Sequence, residues 1–380
     1  MDGSNIKKRI LVLNQGLSGV NKYIFSELEK RNWELFFIEV PFPKKCIVQA
    51  LVSSFKPSFS NWKNSAKERL SQLHKSSKIF IQRTEFCQKR IEELHGNFEL
   101  IFQISGMFAP TLDFKNLNYP YVTFNDYTMV LCKKYPRWAS SSSEMDKWLD
   151  LEKKLYEHAD FIFTCSENTR NSFIKDYGIS SGKVISLNYG VSSNNIVDFE
   201  KSYDGRTIIF VGKDFERKGG YVLLDAFKKV RDEIKDAKLV IVGAFKNPSI
   251  IKQPGVDMLG YVQDKNELID LYRKASIFVM PSLCEPFGMV FLEAMIYKLP
   301  CIGTNIDAMP EIIENGKTGF LVPPNNSEIL ADKIITLLKN PDLSAEMGSN
   351  GFDRVNKKFR WEDLGDKIDR YLKKCIGSND

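Results

Sequence analysis

The stretch that decides the fold of this chain covers residues 276–300 and reads SIFVMPSLCEPFGMVFLEAMIYKLP. Ile277 to Met280 form an unbroken apolar run, as is usual for a parallel strand that is covered on both faces. Pro281 interrupts this strand, and Gly288 precedes a run of residues that favour helix and that ends at Pro300. The stretch therefore predicts a strand, a loop and a helix in succession.

The start of the predicted helix offers a seat for a phosphate group, with a glutamate on either side of it. The first turn of a helix presents backbone N–H groups without acceptors in the helix, together with the positive end of the helix dipole. Glu285 lies in the loop before the helix, and Glu293 lies roughly 7 Å along the axis at a rise of 1.5 Å per residue. A diphosphate fits between these carboxylates, although the spacing alone equally permits two solvated charges.

Length and composition indicate a globular protein of two domains. The chain has 380 residues, which is long for a single core. It contains no apolar run of membrane-spanning length, and its N-terminus leads into an apolar strand without a signal-peptide core, so we expect a cytoplasmic protein. The seven cysteines include no C-x-x-C pair and the three histidines show no ligand spacing, so we expect no metal site.

Strand and helix patterns alternate along the chain and predict two α/β domains. A strand at Arg9–Asn14, a helix at Val20–Arg31 and a second strand at Trp33–Val40 form a βαβ opening, which builds parallel sheets. A polar break over residues 192–206 precedes a second alternation, which starts with a strand at Thr207–Val211. The expected arrangement is an N-terminal domain at 1–200, a C-terminal domain at 201–359, and residues 360–380 packing back on the first domain.

The positive charge of the chain is concentrated in residues 44–90. The chain carries a net charge of +6, but this segment holds eleven Lys and Arg against two Glu, giving +9 and leaving −3 for the remainder. Its second half has apolar residues at helical spacing and basic residues on the polar face. This pattern fits either the solvated face of a core helix or contact with an anionic membrane or acceptor, which would place the protein peripherally at the inner membrane surface. The segment has no groove-reading motif, so no nucleic-acid partner is expected.

Three stretches carry a resemblance to a known family: GKDFERKG at 212–219, EPFGMVFLE at 285–293 and PEIIENGKTGFLVP at 310–323. Together they resemble glycosyltransferase family 4, the retaining, nucleotide-sugar-dependent enzymes of the GT-B fold. The resemblance covers nearly the whole second domain and only the outline of the first. It implies two Rossmann-like, doubly wound domains that face each other across a cleft, with the C-terminal helix returning to the first domain.

The resemblance also implies roles for residues of the second domain. Glu285 would contact hydroxyl groups of the transferred sugar, and Glu293 the ribose. Arg217 and Lys218 match a basic pair that neutralises the departing diphosphate, a charge that fixed cations can stabilise without a metal. We therefore expect no cofactor and no metal, with the nucleotide sugar as co-substrate. Further expected donor-binding residues are Gly16, Gly19, Gly212, Val262, Phe287, Gly288, Met289 and Val290.

The first domain has Asn125 at the strand end where members of the family commonly have a catalytic-site histidine. Asparagine can hydrogen-bond a sugar hydroxyl but cannot carry the charge of a proton. In the front-face mechanism proposed for the family, the leaving phosphate takes the proton of the acceptor, so Asn125 is compatible with catalysis. The implied function, in glycan biosynthesis, is retaining transfer of a hexose from a UDP- or GDP-sugar to a glycan, lipid-linked or small-molecule acceptor.

Two other classes of function stay open. Asn125 also fits a non-catalytic partner protein that binds nucleotide sugars, and a GT-B epimerase or phosphorylase would share the architecture. A glycoside hydrolase is disfavoured, because its acid and base must flank one scissile bond. The residues Gly316-Lys-Thr318 do not form a P-loop, since Glu311 stands where its first glycine should be.

Overall fold

The structure, a computed structural model, describes residues 7–16, 19–55, 58–73, 76–94, 96–135, 142–196, 198–243 and 253–377. Within these ranges the side chains of residues 49, 59, 60, 64, 67, 68, 71, 72, 142 and 194 are not described. The chain divides into two compact units. The first unit comprises Met1–Leu187 and Leu364–Asp380, and the second comprises Asn188–Asp363.

The first unit is built on a six-stranded parallel sheet in the order β2-β1-β3-β4-β5-β6. Its strands are β1 (Lys8–Asn14), β2 (Trp33–Glu39), β3 (Leu100–Ile104), β4 (Tyr121–Asn125), β5 (Phe161–Thr164) and β6 (Val184–Ser186). The apolar run from Ile10 to Leu13 is fully buried, because helices cover both faces of a parallel sheet of this kind. Asn125 is the last residue of β4, at the carboxyl edge of the sheet.

The basic segment is helical over more of its length than the sequence predicted. The helices of the first unit before its C-terminal return are α1 (Gly19–Lys30), α2 (Lys44–Ser53), α3 (Phe59–Leu73), α4 (Ser77–Glu93), α5 (Met129–Cys132), α6 (Ser142–His158) and α7 (Glu167–Lys175). The expectation of helix only in the second half was wrong for α2. Its buried positions are Cys46 and Ala50, whereas the larger Val48 and Val52 are exposed, which hides the periodicity. Residues 56, 57, 74 and 75 of the segment lie outside the described residues.

The last helix, α14 (Trp361–Cys375), contributes to the core of the first unit from Leu364 onward. Its buried residues Leu364, Ile368 and Leu372 recur at helical spacing and form one apolar stripe. On the same helix, the Asp369 carboxylate accepts a hydrogen bond from Trp33 Nε1 at 2.7 Å. The helix thus buries an apolar stripe and is joined to the start of β2 by a hydrogen bond.

The second unit contains another six-stranded parallel sheet, in the order β12-β11-β10-β7-β8-β9. Its strands are β7 (Thr207–Val211), β8 (Lys238–Val242), β9 (Val256–Gly260), β10 (Ile277–Met280), β11 (Cys301–Thr304) and β12 (Gly319–Val322). Its helices are α8 (Gly220–Glu233), α9 (Lys265–Lys274), α10 (Met289–Ile296), α11 (Met309–Ile312), α12 (Ser327–Lys339) and α13 (Pro341–Lys358). The predicted strand, loop and helix of the opening stretch are β10, residues 281–288 and α10.

Candidate functional site

Two loops of the second unit lie side by side, although they are far apart in the sequence. Strands β7 and β10 are parallel neighbours, with Ile208 opposite Ile277, so the loops that follow them leave the same edge of the sheet. The loop after β7 covers residues 212–219 and the loop after β10 covers residues 281–288; we call them the loop pair. The Leu283 N–H donates to the Arg217 carbonyl oxygen at 2.8 Å, which joins the two loops directly.

Glycine is required at two positions of the loop pair. Gly219 has a left-handed φ of +75°, and a Cβ atom there would lie 1.8 Å from the Pro281 carbonyl oxygen. Gly288 precedes α10 with a φ of +100°, and a Cβ atom there would lie 2.6 Å from Met309 Cε. Both positions have a positive φ that favours glycine. A side chain at Gly219 would also push the two loops apart, whereas one at Gly288 would press on the end of the Met309 side chain.

The two predicted cations converge on the predicted sugar-binding carboxylate. Lys218 Nζ forms an ion pair with Glu285 Oε2, and Arg217 Nη1 lies 3.5 Å from the same oxygen. The exposed fractions of these side chains are 14% for Arg217, 11% for Lys218 and 7% for Glu285. Arg217 Nη1 also donates to the Cys284 carbonyl oxygen at 2.7 Å. Arg217 Nε also lies 3.4 Å from Asp214 Oδ2. The site therefore fixes two nearly buried cations between carboxylates, where they could also pair with an anionic ligand.

The start of α10 lies directly after this charge cluster. The Phe291 N–H donates to the Gly288 carbonyl oxygen at 2.9 Å. The amides of Met289 and Val290 precede it in the first turn, where no carbonyl group of the same helix can accept them. Both residues are half-buried. These amides and the helix dipole add to the positive potential of the site.

Glu293 lies one turn further along α10 and is half-buried. Burial raises the pKa of Glu293, against the opposing effects of a hydrogen bond from Tyr272 and the charge of Lys218. The Tyr272 hydroxyl donates to Glu293 Oε2 at 3.3 Å. Tyr272 is a residue of the site that the sequence reasoning missed, because α9 is not contiguous with any of the recognised motifs.

The other expected donor-binding residues of the second unit are Gly212, Phe287 and Val262. Gly212 follows β7 directly, and its N–H donates to the Val242 carbonyl oxygen at 2.9 Å. The Phe287 side chain is buried and packs edge-to-face on Tyr189, with ring centroids 5.1 Å apart, so only the backbone of this residue belongs to the loop surface. Strand β9 ends at Gly260, so Val262 lies beyond it in a loop.

Asn125, in the first unit, is held in a buried hydrogen-bond network. Its side-chain nitrogen donates to Thr123 Oγ1 at 3.1 Å, and its oxygen accepts from the Tyr156 hydroxyl at 3.3 Å. The Tyr156 hydroxyl also lies 2.7 Å from Glu152 Oε1, and the Tyr177 hydroxyl donates to the other oxygen of that carboxyl group. Burial raises the pKa of Glu152 to about 7, although both tyrosine bonds oppose the shift.

The two glycines expected near the first strand lie on either side of residues that are outside the described ranges. Gly16 has a φ of +123°, and its N–H donates to the Asn14 side-chain oxygen at 3.1 Å. Gly19 is the first residue of α1. Leu17 and Ser18, between them, are not described. The backbone at Gly16 thus turns away from β1 with a short local hydrogen bond.

The described residues contain neither a metal-binding cluster nor a membrane-spanning helix. Among them, no group of three or more His, Cys, Asp and Glu side chains could hold a metal ion. None of the helices in the described ranges is both long enough and apolar enough to cross a membrane.

Sequence comparison matches residues 192–354, which include the whole loop pair, to the family described as glycosyl transferases group 1. A capsular polysaccharide biosynthesis glycosyltransferase from Staphylococcus aureus is 30% identical over 46% of this chain and 48% of its own. A phosphatidyl-myo-inositol mannosyltransferase from Mycobacterium leprae is 32% identical over 44% of this chain and 46% of its own. The chain spans about half the length of the curated relatives it matches.

Structural comparison matches nearly the whole chain. Sucrose-phosphate synthase from Thermosynechococcus elongatus has a TM-score of 0.71 and 17% identity, covering 98% of this chain and 100% of that chain. The Anabaena protein HepE, in complex with UDP and glucose, has a TM-score of 0.64 and 17% identity, covering 96% of this chain and 99% of that chain. At these identities the comparison establishes a shared fold.

Proposed function

We propose that this chain, which has the GT-B fold and whose residues 192–354 belong to the glycosyl transferases group 1, is a retaining hexosyltransferase that uses a nucleotide-diphosphate sugar. The observation that carries the proposal is the convergence of Arg217 and Lys218 on Glu285 beside the start of α10. A diphosphate needs cations and free amides at one place, and a sugar needs a carboxylate to accept its hydroxyl groups.

In this proposal the diphosphate binds at the loop pair. The amides of Met289 and Val290 would donate to its oxygens, and Glu293 would accept from the ribose. Lys218 is paired with Glu285, so a bound diphosphate would share that cation with the carboxylate. The HepE complexes with UDP and with UDP-glucose make UDP-glucose the first donor to test, with GDP-sugars as the alternative.

The reaction would break the bond between the sugar C1 and the diphosphate oxygen, and form a bond from the acceptor oxygen to C1 on the same face. The acceptor proton passes to the leaving diphosphate, so no protein base is needed and Asn125 can serve by hydrogen bonding. Negative charge grows on the leaving oxygen, and Arg217 and Lys218 are fixed where they would stabilise it. No metal is assigned to this mechanism.

The basic segment supports a proposal for the acceptor side. Helix α2 has two exposed lysines, Lys44 and Lys45, at its start. Towards its end, Val52 is 71% exposed and Phe55 just beyond it is 74% exposed. An apolar surface flanked by cations fits the interface of an anionic bilayer, with the apolar groups among the acyl chains and the lysines at the headgroups. We therefore favour a lipid-linked acceptor over a free glycan or a small molecule.

Vesicle binding tests this contact. The full chain should bind vesicles of anionic phosphatidylglycerol, and the binding should weaken with added salt. Val52→Asp should reduce it by about tenfold or more, since a carboxylate would enter the apolar interface. Ile329→Asp, which changes a 36% exposed residue on α12, is the control. Equal binding to neutral vesicles, or none to either, would leave only the solvated-face interpretation.

A panel of UDP- and GDP-sugars, incubated with the full chain without acceptor, tests the proposed activity. Slow release of nucleotide from one donor supports a transferase. Tight donor binding with no turnover under any acceptor would instead identify a non-catalytic binding partner, the alternative that Asn125 motivates. Turnover that requires inorganic phosphate and no nucleotide would indicate a phosphorylase, and conversion of the donor sugar to its epimer would indicate an epimerase.

A further inference from the structure

A third segment, residues 304–307, holds the loop after β10 in place. Thr304 is the last residue of β11, the other sheet neighbour of β10, and the rest of the segment follows that strand. Thr304 Oγ1 donates to the Ser282 carbonyl oxygen at 2.6 Å. Asp307 Oδ2 accepts a hydrogen bond from the Glu285 N–H at 2.9 Å. The second contact matters most, because it acts on the peptide group of the residue whose carboxylate forms the centre of the site.

Asp307 adopts a conformation that a side chain makes costly. Its φ is +48°, in the left-handed region that most residues other than glycine, asparagine and aspartate avoid. A glycine would adopt this φ without strain, yet it would have no oxygen to offer Glu285. The observed residue therefore combines tolerance of the turn with a hydrogen-bond acceptor that reaches another loop.

The loop after β7 restrains the same stretch of backbone from another side. There the Glu285 backbone is held indirectly, through the bond from Arg217 Nη1 to the carbonyl oxygen of Cys284. The Glu285 carboxylate, in turn, lies between Lys218 and Arg217. A shift of the Glu285 peptide would thus move the carboxylate relative to both cations and to any sugar bound beside them.

We propose that Asp307 is a positioning residue, which fixes the Glu285 peptide and thereby aims its carboxylate at the transferred sugar. This inference rests on the proposed function, because Glu285 is taken to contact the sugar. Asp307 itself touches neither the sugar nor the diphosphate in this arrangement. Its contribution is therefore to turnover rather than to nucleotide binding.

Three variants separate this role from a merely structural one. Asp307→Gly keeps the left-handed turn and removes the acceptor, whereas Asp307→Asn keeps both the turn and an acceptor oxygen. We expect Asp307→Gly to lower the turnover of donor hydrolysis by about 10- to 100-fold, the effect of losing a hydrogen bond with a charged partner. Asp307→Asn should stay within about threefold of the wild type, and the affinity for UDP alone should be unchanged in both. The control is Asn325→Gly, which relieves another left-handed residue, with a φ of +55°, in the same unit.

Hydrogen exchange of the Glu285 amide gives a readout that does not depend on turnover. Asp307→Gly should speed this exchange about tenfold or more, and Asp307→Asn should restore protection. If the wild type turns over no donor under any acceptor, the proposed function fails while the exchange still decides the role of Asp307. Wild-type exchange in Asp307→Gly would overturn the inference, as would an equal effect of the glycine and asparagine variants.

Discussion

Glu152 of α6 provides the prediction with the most direct link to the structure. Its carboxyl group is buried between the hydroxyls of Tyr156 and Tyr177. Its pKa is raised from 4.5 to about 7, because burial penalises the charged form more than the tyrosine bonds stabilise it. Glu152→Gln removes the charge and matches the protonated acid in size and in having a donor group beside an acceptor oxygen, so the variant isolates the cost of ionising this site.

The sign of the effect follows from the direction of the shift. A carboxyl group whose pKa is higher in the folded state binds its proton more tightly there than in the unfolded chain. The wild type therefore loses stability as the pH rises from the ordinary pKa of 4.5 towards about 7, and the full loss persists above that. At 1.36 kcal/mol per pKa unit, the stability gained by Glu152→Gln should be about 2 to 3 kcal/mol larger at pH 8 than at pH 5.

Denaturant-dependent hydrogen exchange of the peptides covering β4 and β5 measures this quantity within the first unit, without assuming that a two-unit chain unfolds in one step. Glu157→Gln, an exposed change on the same helix, is the matched control and should show no such gain. A Glu152→Gln effect that is the same at pH 5 and pH 8 would refute the reasoning, and so would greater destabilisation at pH 8.

Two further changes test packing, one in each unit. Gly219→Ala should lower the free energy of unfolding of the second unit by about 1 to 3 kcal/mol or more and impair donor turnover, since its Cβ would lie 1.8 Å from the Pro281 carbonyl oxygen. The control is Gly182→Ala, whose Cβ would have no atom within 4 Å and which should be nearly neutral. An unchanged melting temperature for Gly219→Ala would contradict the close contact. Trp33→Phe removes the hydrogen bond to Asp369 and should lower the free energy of unfolding by about 1 to 3 kcal/mol, with faster amide exchange in α14. Asp369→Asn keeps an acceptor oxygen and should lose less stability. Equal losses would contradict the view that a neutral acceptor oxygen is enough to hold the helix.

The elements bounded by strong local signals could be predicted from the sequence. Strand β10 runs over Ile277–Met280 as expected, because an apolar run ends at a proline. Helix α10 begins directly after Gly288, as expected from its glycine and helix-forming residues. The fold class and the resemblance to family 4 glycosyltransferases were confirmed by the comparisons.

Features that depend on packing between distant segments could not be predicted. The Asp307 contact with Glu285 requires the turn after β11 to lie beside the loop after β10, which follows from sheet order rather than from any local pattern. The network around Asn125 likewise depends on Tyr156 facing the end of β4. The sequence identified Asn125 as a candidate site residue. It did not indicate that both polar atoms of the Asn125 side chain have hydrogen-bond partners in the interior.

The central claim is that Arg217 and Lys218 stabilise the leaving diphosphate of a nucleotide sugar. Its most direct test is the turnover of donor hydrolysis in Arg217→Ala and Lys218→Ala, compared with Lys228→Ala, which removes a 64% exposed lysine of α8. We expect each of the first two to lose on the order of 2 to 4 kcal/mol of transition-state stabilisation, about 30- to 1000-fold in rate, and the control to match the wild type. Unchanged turnover in both Arg217→Ala and Lys218→Ala would contradict the claim.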